Sequence, residues 1–445
     1  MSDSTLAPFV PTPADLDRAA LAARLTRLAA AKTPKIAVIG DFCLDKYLFL
    51  SPELNEISVE TGKTAFQIRA RRVFAGAGGT VANNLRALGA ATFCFGIVGD
   101  DGDGFELLKA LRGIGADVSG MVASPEVLTS TYVKPTNPDG AGGWVESNRF
   151  DVRNPGPFPA SAVDALQANF RKRVAEFDAV VVLEQFPPGS ETTFSPDFRA
   201  FLADVARANP DVFFLCDSRF FAESYRETLV KCNANELLDV FATARGADRK
   251  RETTLSGDAE SNVAALCEAG AWLAKRNGRP VLATRGALGS LLFDVGVSPL
   301  SQTSDVPQTA NFPPQTPQTP QTPQTPQTPQ TTQTTQTPQT TQTTQTTQTT
   351  QTTQTTQTTQ TTQTTQTTQT TEIAVVAVPP RPVSPPFDIC GAGDATNAGF
   401  VFAKSLGFSL VESAFLAGVV SSITIKQIGV TGTATVEQIV AALTE

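Results

Sequence analysis

Lys35-Ile36-Ala37-Val38-Ile39 is a strand-length apolar run with no polar residue in alternate positions, and it leads directly into Gly40-Asp41. A strand with one wet face alternates polar and apolar side chains, whereas a run without alternation is covered on both faces. Four similar runs follow: FCFGIV (93–98), AVVVL (179–183), VFFLC (212–216) and PVLAT (280–284). Amphipathic helical stretches separate most of them. Strand and helix in alternation predict an α/β fold in which a mainly parallel sheet is sandwiched between helices.

Around this frame the chain has three other textures. Before it, Thr12 is a candidate helix cap with Pro13 and Asp15 in the first turn, and Leu21, Leu25 and Leu28 recur at helical spacing; residues 1–31 read as a helical leader. Within it, segments of about 48–73 and 129–150 alternate polar and apolar residues as exposed antiparallel strands do, which predicts a small β flap over one sheet edge. Late in it, residues 298–371 are polar, and QTP triplets pass into QTT triplets from Gln315 to Thr371. Such a segment has too little apolar area to offset its ordering entropy and is expected to be disordered. Apolar strand character returns at Ile373, so the insert is expected to interrupt one domain made of residues 32–297 and 372–445.

Composition narrows the chemistry. Among 445 residues there are 35 basic and 43 acidic side chains, a net charge of −8, which argues against nucleic acid or an anionic membrane as partner. Histidine is absent, so Ser-His-Asp and Cys-His systems and zinc sites with imidazole ligands are excluded. Six cysteines form no CxxC pair and stand mostly in apolar runs, as expected for reduced thiols in a cytoplasmic protein. No secretory leader or membrane-length apolar run is apparent.

Three apparent motifs fail on inspection. Thr61-Gly62-Lys63-Thr64 ends like a phosphate-binding P-loop, but the first glycine it needs is Ile57. The run from Asp100 to Gly104 lacks the ligand spacing of a calcium loop and reads as a helix-starting turn. No GxGxxG follows the first strand, which removes the main support for a nicotinamide enzyme. The informative segment is Asp388-Ile389-Cys390-Gly391-Ala392-Gly393-Asp394 and the helical run after it. Small residues at a helix start let backbone N–H groups converge on an anion, with the helix dipole adding positive potential. Asp394, in the first turn, is placed to accept a proton from a hydroxyl that attacks a phosphoryl group.

The order of motifs from about Lys35 onward resembles the PfkB (ribokinase-like) carbohydrate kinases. The resemblance implies a three-layer ribokinase-like sandwich with Asp394 as catalytic base and Gly391, Ala392 and Gly393 as anion hole. The run from Gly76 to Gly89 looks like the family's substrate motif, which implies sugar contacts at Gly78, Gly79 and Thr80. Val98 to Gly104 is similar to its VGxDxxG element. Asn233-Ala234-Asn235-Glu236 has the spacing of NxxE, which implies that Asn233 and Glu236 act through water on Mg²⁺. Thr284-Arg285-Gly286-Ala287-Leu288-Gly289 looks like the TxGxxG turn, which places Thr284, Gly286 and Gly289 against the nucleotide.

Within the family, Gly40 to Tyr47 (GDFCLDKY), Ser51-Pro52-Glu53, the VANN after Thr80 and Arg149-Phe150-Asp151 most resemble heptose-7-phosphate kinases. That likeness implies sugar binding by Asp45 and a lid position near substrate for Arg149, with Lys134 as another candidate cation. The implied activity is ATP-dependent phosphorylation of a sugar or sugar phosphate, with ATP and Mg²⁺, room for a monovalent cation, and a homodimer through the flap as a further expectation. Thr80, Ile389 and Gln185 depart from the usual asparagine, threonine and aspartate, and the changes at Thr80 and Ile389 suggest the alternative of a catalytically silent sugar- or nucleotide-binding regulator on the same fold.

Overall fold

The computed structural model describes residues 11–154, 156–187, 193–248, 257–295, 373–429 and 431–445. The repeat and the rest of the insert at 298–371 lie outside them. Lys35–Gly40 is a strand whose last five residues are all buried. Ile36 and Val38 enter one hydrophobic core, and Ala37 and Ile39 enter another on the opposite face. Ala179–Glu184 divides in the same way, Val181 and Leu183 to the first core and Val180 and Val182 to the second. The missing alternation therefore has its physical cause in helices on both faces of the sheet.

The central sheet has nine strands in the order Thr12–Pro13, Ile373–Val378, Ser290–Val295, Val281–Thr284, Leu229–Asn233, Phe213–Ser218, Ala179–Glu184, Lys35–Gly40 and Ala91–Phe95. From Val281–Thr284 to Ala91–Phe95 every pairing is parallel. Ser290–Val295 pairs antiparallel with both of its neighbours. Leu229–Asn233 and Ser290–Val295 were not among the apolar runs singled out above, because Lys231 and Asp294 break their apolar character. Val295 pairs with Ile373, so the two ends that flank the insert are next to each other in one sheet.

Three expectations need correction. Thr12 does not cap a helix: Thr12–Pro13 is an edge strand parallel to Ile373–Val378, a place where proline's missing N–H is tolerated. The helix is Arg18–Ala31, and its cap is Asp17, whose side chain accepts from the Ala20 N–H at 2.9 Å. Leu21, Ala22 and Leu25 are buried in the main core, so this helix packs as part of the same unit. FCFGIV is not one strand: Ala91–Phe95 belongs to the central sheet, and after Gly96 the segment Ile97–Gly99 pairs with Val122–Ser124. A side chain at Gly96 would meet the Phe42 ring at 2.7 Å, so the chain bends there in contact with its neighbour. The turn read at 100–104 is present, with Asp101 capping helix Gly102–Gly113.

The flap is larger than its expected bounds. It begins at Phe42, because Gly40, with φ of 142°, lets the chain pass from the central sheet straight into strand Phe42–Leu50. That strand pairs antiparallel with Ile68–Ala77 but parallel with Thr131–Pro138, against the expectation of antiparallel pairing throughout. Trp144–Glu146 and Phe150–Val152 complete the sheet against Thr131–Pro138. Thr64 of the false P-loop lies in a small exposed hairpin, Glu56–Ile57 with Thr64–Ala65. Among the described residues no helix is long and apolar enough to cross a membrane. All six cysteines are free thiols, and Cys390 alone of them is exposed.

Candidate active site

Helix Ala392–Ser405 starts behind Gly391, whose φ of 76° is left-handed and suits a residue without Cβ. The Ala392 N–H donates to the Ile389 carbonyl at 3.1 Å, and the Cys390 N–H donates to Asp388 Oδ1 at 2.9 Å. No side chain caps the helix. Among the described residues the Gly393 and Asp394 N–H groups have no acceptor. They are the orphan donors of a helix start, a position at which an anion can be bound. A Cβ on Gly393 would stand 3.1 Å from Lys231 Nζ, so the lysine ammonium borders the same space.

Asp394 is half-buried at the start of the helix. Its burial, and next the nearby Asp217 carboxylate, push its pKa up to about 7, while Lys231 and Arg219 pull in the opposite direction. Asp217 is the hub of this region. Its Oδ2 accepts from Lys231 Nζ at 2.8 Å and from Asn397 Nδ2 at 2.6 Å. Lys231 and Asp217 are register partners on adjacent parallel strands, and Asn397 is one helical turn after Asp394. None of these three was singled out from the sequence. The available signal was a lone charge in each of two apolar runs, VFFLCD and LVKCN, since a buried charge needs a partner.

Asn233 and Glu236 have a local reason for their spacing. They form a capping box on helix Ala234–Ala244: Asn233 Oδ1 accepts from the Glu236 N–H at 2.9 Å, and Glu236 Oε2 accepts from the Asn233 N–H at 2.8 Å. The Asn233 amide NH₂ and Glu236 Oε1 remain uncommitted among the described residues. Burial and the Asp217 carboxylate raise the Glu236 pKa. No group of three or more cysteine, aspartate or glutamate side chains placed to hold a metal ion occurs among the described residues. Asn233 is the register partner of Thr284. Beyond Thr284 the chain turns through Gly286, φ 51°, and Gly289, φ 82°, where a side chain on Gly289 would collide with the Val378 carbonyl.

On the other side of the cradle is the start of helix Gly78–Ala87. The Gly78 N–H donates to the Asp41 carbonyl at 2.9 Å, and a Cβ there would stand 2.8 Å from the Phe42 ring. Gly79 packs its backbone against Ala75. Thr80 is buried, and its methyl lies 3.5 Å from where a Gly391 Cβ would be, so the two glycine-rich motifs meet here.

Asp45 is in mid-strand on the flap. Lys134 Nζ lies 2.7 Å from Asp45 Oδ1 and donates to the Tyr47 hydroxyl at 3.2 Å. Burial alone would lower the Lys134 pKa, but the Asp45 carboxylate more than reverses this. A Cβ on Gly76 would stand 2.6 Å from Asp45 Oδ2, so this glycine makes room for the carboxylate. The charges of Lys134 and Asp45 are both felt at the Cys390 thiol, and that of Asp45 at Asp394. Arg149 is on the flap but faces a different partner. Its fork holds Asp151 through two bonds of 2.6 and 2.9 Å, and its guanidinium covers the Tyr132 ring at 4.5 Å. The structure therefore brings Asp394, the Gly391–Gly393 turn, Thr80 and Asp45 together, and leaves Arg149 paired with Asp151 on the flap.

Comparisons with known proteins bear on the family and the fold. Bifunctional protein HldE of Sulfurimonas denitrificans is 34% identical over 150 residues, 34% of this chain and 30% of that protein. HldE of Geobacter metallireducens is 29% identical over 264 residues, 58% of this chain and 47% of that protein. The chain thus spans less than half the length of these curated relatives. Arabidopsis thaliana ribokinase, solved with ribose and ATP, superposes with a TM-score of 0.54 at 14% identity, covering 93% of this chain and all of that one, which shows the fold alone. Residues 33–311 match the model of the pfkB family carbohydrate kinases, a region that includes Gly78, Gly79, the flap and the Asn233–Glu236 capping box. On that match, which covers more than half of its length, the chain belongs to the pfkB family of carbohydrate kinases.

Proposed function

We propose that the protein is an ATP-dependent kinase that transfers the γ-phosphoryl group to a hydroxyl of a sugar or sugar phosphate. One observation carries this reading: a carboxyl poised near neutrality, Asp394, adjoins unengaged backbone N–H groups at a helix start. Asp394 accepts the proton of the attacking hydroxyl, and the Gly391-Ala392-Gly393 turn presents N–H groups to the charge on the transferring oxygens. Thr284, Gly286 and Gly289 border the nucleotide, and Gly78, Gly79, Thr80 and Asp45 border the sugar. Asn233 and Glu236 fit a Mg²⁺ held through water, because each keeps a polar group outside the capping box. Bound with ATP, that ion supplies charge neutralisation on the phosphates.

The motif likeness and the HldE relatives favour a heptose-7-phosphate-like substrate. Lys134 is the cation we favour for its distal phosphate, since it stands beside Asp45, the side chain assigned to the sugar hydroxyls. Residues 32–297 and 372–445 form one catalytic domain in this reading, working in the cytoplasm, with the flap excluding water from the transfer. Exposed apolar side chains on the flap, among them Val59 at 97% and Phe66 at 66% exposure, support a second copy of the chain as its cover. Turnover of ATP against a panel of free sugars and sugar phosphates tests the function. A phosphorylated product from at least one is expected, and none from any would reject it.

A further inference from the structure

The cations around the site differ in how their charge is already spent. Lys134 pairs with Asp45, Lys231 with Asp217, and Arg149 with Asp151. Arg219 has no carboxylate partner among the described residues. Its guanidinium donates to the side-chain carbonyl of Gln185 at 3.0 Å, and its backbone N–H donates to the Glu184 carbonyl at 3.0 Å. It follows directly on the strand that ends in Asp217 and Ser218, and it is exposed. Gln185 is fixed in turn, its N–H donating to Asp41 Oδ2 at 2.8 Å, and the Asp41 carbonyl holds the Gly78 N–H.

We infer that Arg219, oriented by Gln185, is the cation that receives the phosphate chain of the nucleotide between the Gly393 cradle and the Glu236 cap. The inference rests on the kinase reading above. A glutamine at 185 aims the guanidinium without neutralising it, whereas a carboxylate in its place would form the ion pair that every other cation named here already has. Arg219 is near the Asp394 helix start, because Asp217, two residues earlier, contacts both Lys231 at the cradle and Asn397 on that helix. Its charge lowers the pKa of Asp394 and of Glu236 alike, so both carboxyls are within electrostatic reach of it.

Binding measured on the full chain by titration calorimetry tests this, with ATP, ADP, adenosine, a sugar phosphate and its free sugar as probes. Arg219→Ala is expected to weaken ATP and ADP by about tenfold or more, as loss of a charge-assisted contact does, and to leave adenosine unchanged. Arg219→Lys is expected to recover part of that affinity. Gln185→Glu keeps the arginine but neutralises it, and is expected to weaken ATP in the same direction. Equal losses for ATP and adenosine, or a loss confined to the sugar phosphate, would overturn the assignment. A wild-type chain that binds ATP normally while Arg219→Ala does too would overturn it alone. A wild-type chain that binds no adenine nucleotide would overturn the kinase reading as well.

Discussion

Asn397 Nδ2 lies 2.6 Å from Asp217 Oδ2, which ties the helix carrying Asp394 to the end of strand Phe213–Ser218. Lys231 closes the group from the adjacent strand at 2.8 Å. Placement of the proposed base therefore depends on a buried charge pair as well as on the glycine turn before it.

Replacing Asp217 with asparagine leaves Lys231 buried without its counter-charge. Breaking such a pair costs ~3–5 kcal/mol, and chemical denaturation of Asp217→Asn should show a loss of that order. The same variant removes a carboxylate that raises the Asp394 pKa. The acid limb of kcat/KM should accordingly move to lower pH, and an unmoved limb would separate Asp217 from the base.

Asp394→Asn should lower turnover by ~10² or more with the fold intact. A base with a pKa of about 7 must lose its proton to act, so wild-type kcat/KM should fall as pH drops below that value.

Stability should run the other way. The folded Asp394 pKa is raised from 3.8 to about 7, so its contribution is fully favourable below pH 3.8 and is lost as pH rises through 7. Asparagine does not ionise. Thermal melts should therefore show Asp394→Asn more stable than wild type at pH 8, with the gap closing towards pH 4. A gap independent of pH would mean that Asp394 is not buried against its charge.

Lys134→Met should raise KM for a sugar phosphate by about tenfold or more, the loss expected of a charge-assisted contact, while Arg149→Ala should change it little. Steady-state kinetics with both variants decides between the two cations. A larger effect at Arg149 would show that it leaves Asp151 when substrate binds.

Replacing Gln315 to Thr371 with a short Gly/Ser linker should leave folding and turnover nearly unchanged. Val295 and Ile373 are already register partners, and closure entropy grows only as the logarithm of loop length. Loss of folded protein or of turnover would show that the repeat packs or gates.

What the sequence determined by itself was local or periodic. The unalternating runs at Lys35 and Ala179 report burial on both faces, the glycines before Asp394 report an uncapped helix start, and each follows from steric and solvation rules over a few residues. The NxxE spacing likewise had a local cause in the capping box. The rest was decided by which strands become neighbours. Asp217 meets Lys231 only because their strands pair in register, and Asn397 reaches Asp217 across 180 residues of chain. Asp45 gains Lys134 because Phe42–Leu50 lies parallel to Thr131–Pro138, and Arg149 is engaged by Asp151, two residues away. A side chain's choice between two nearby charges depends on distances that only the folded chain sets, because Coulomb attraction and desolvation both vary over a few ångströms.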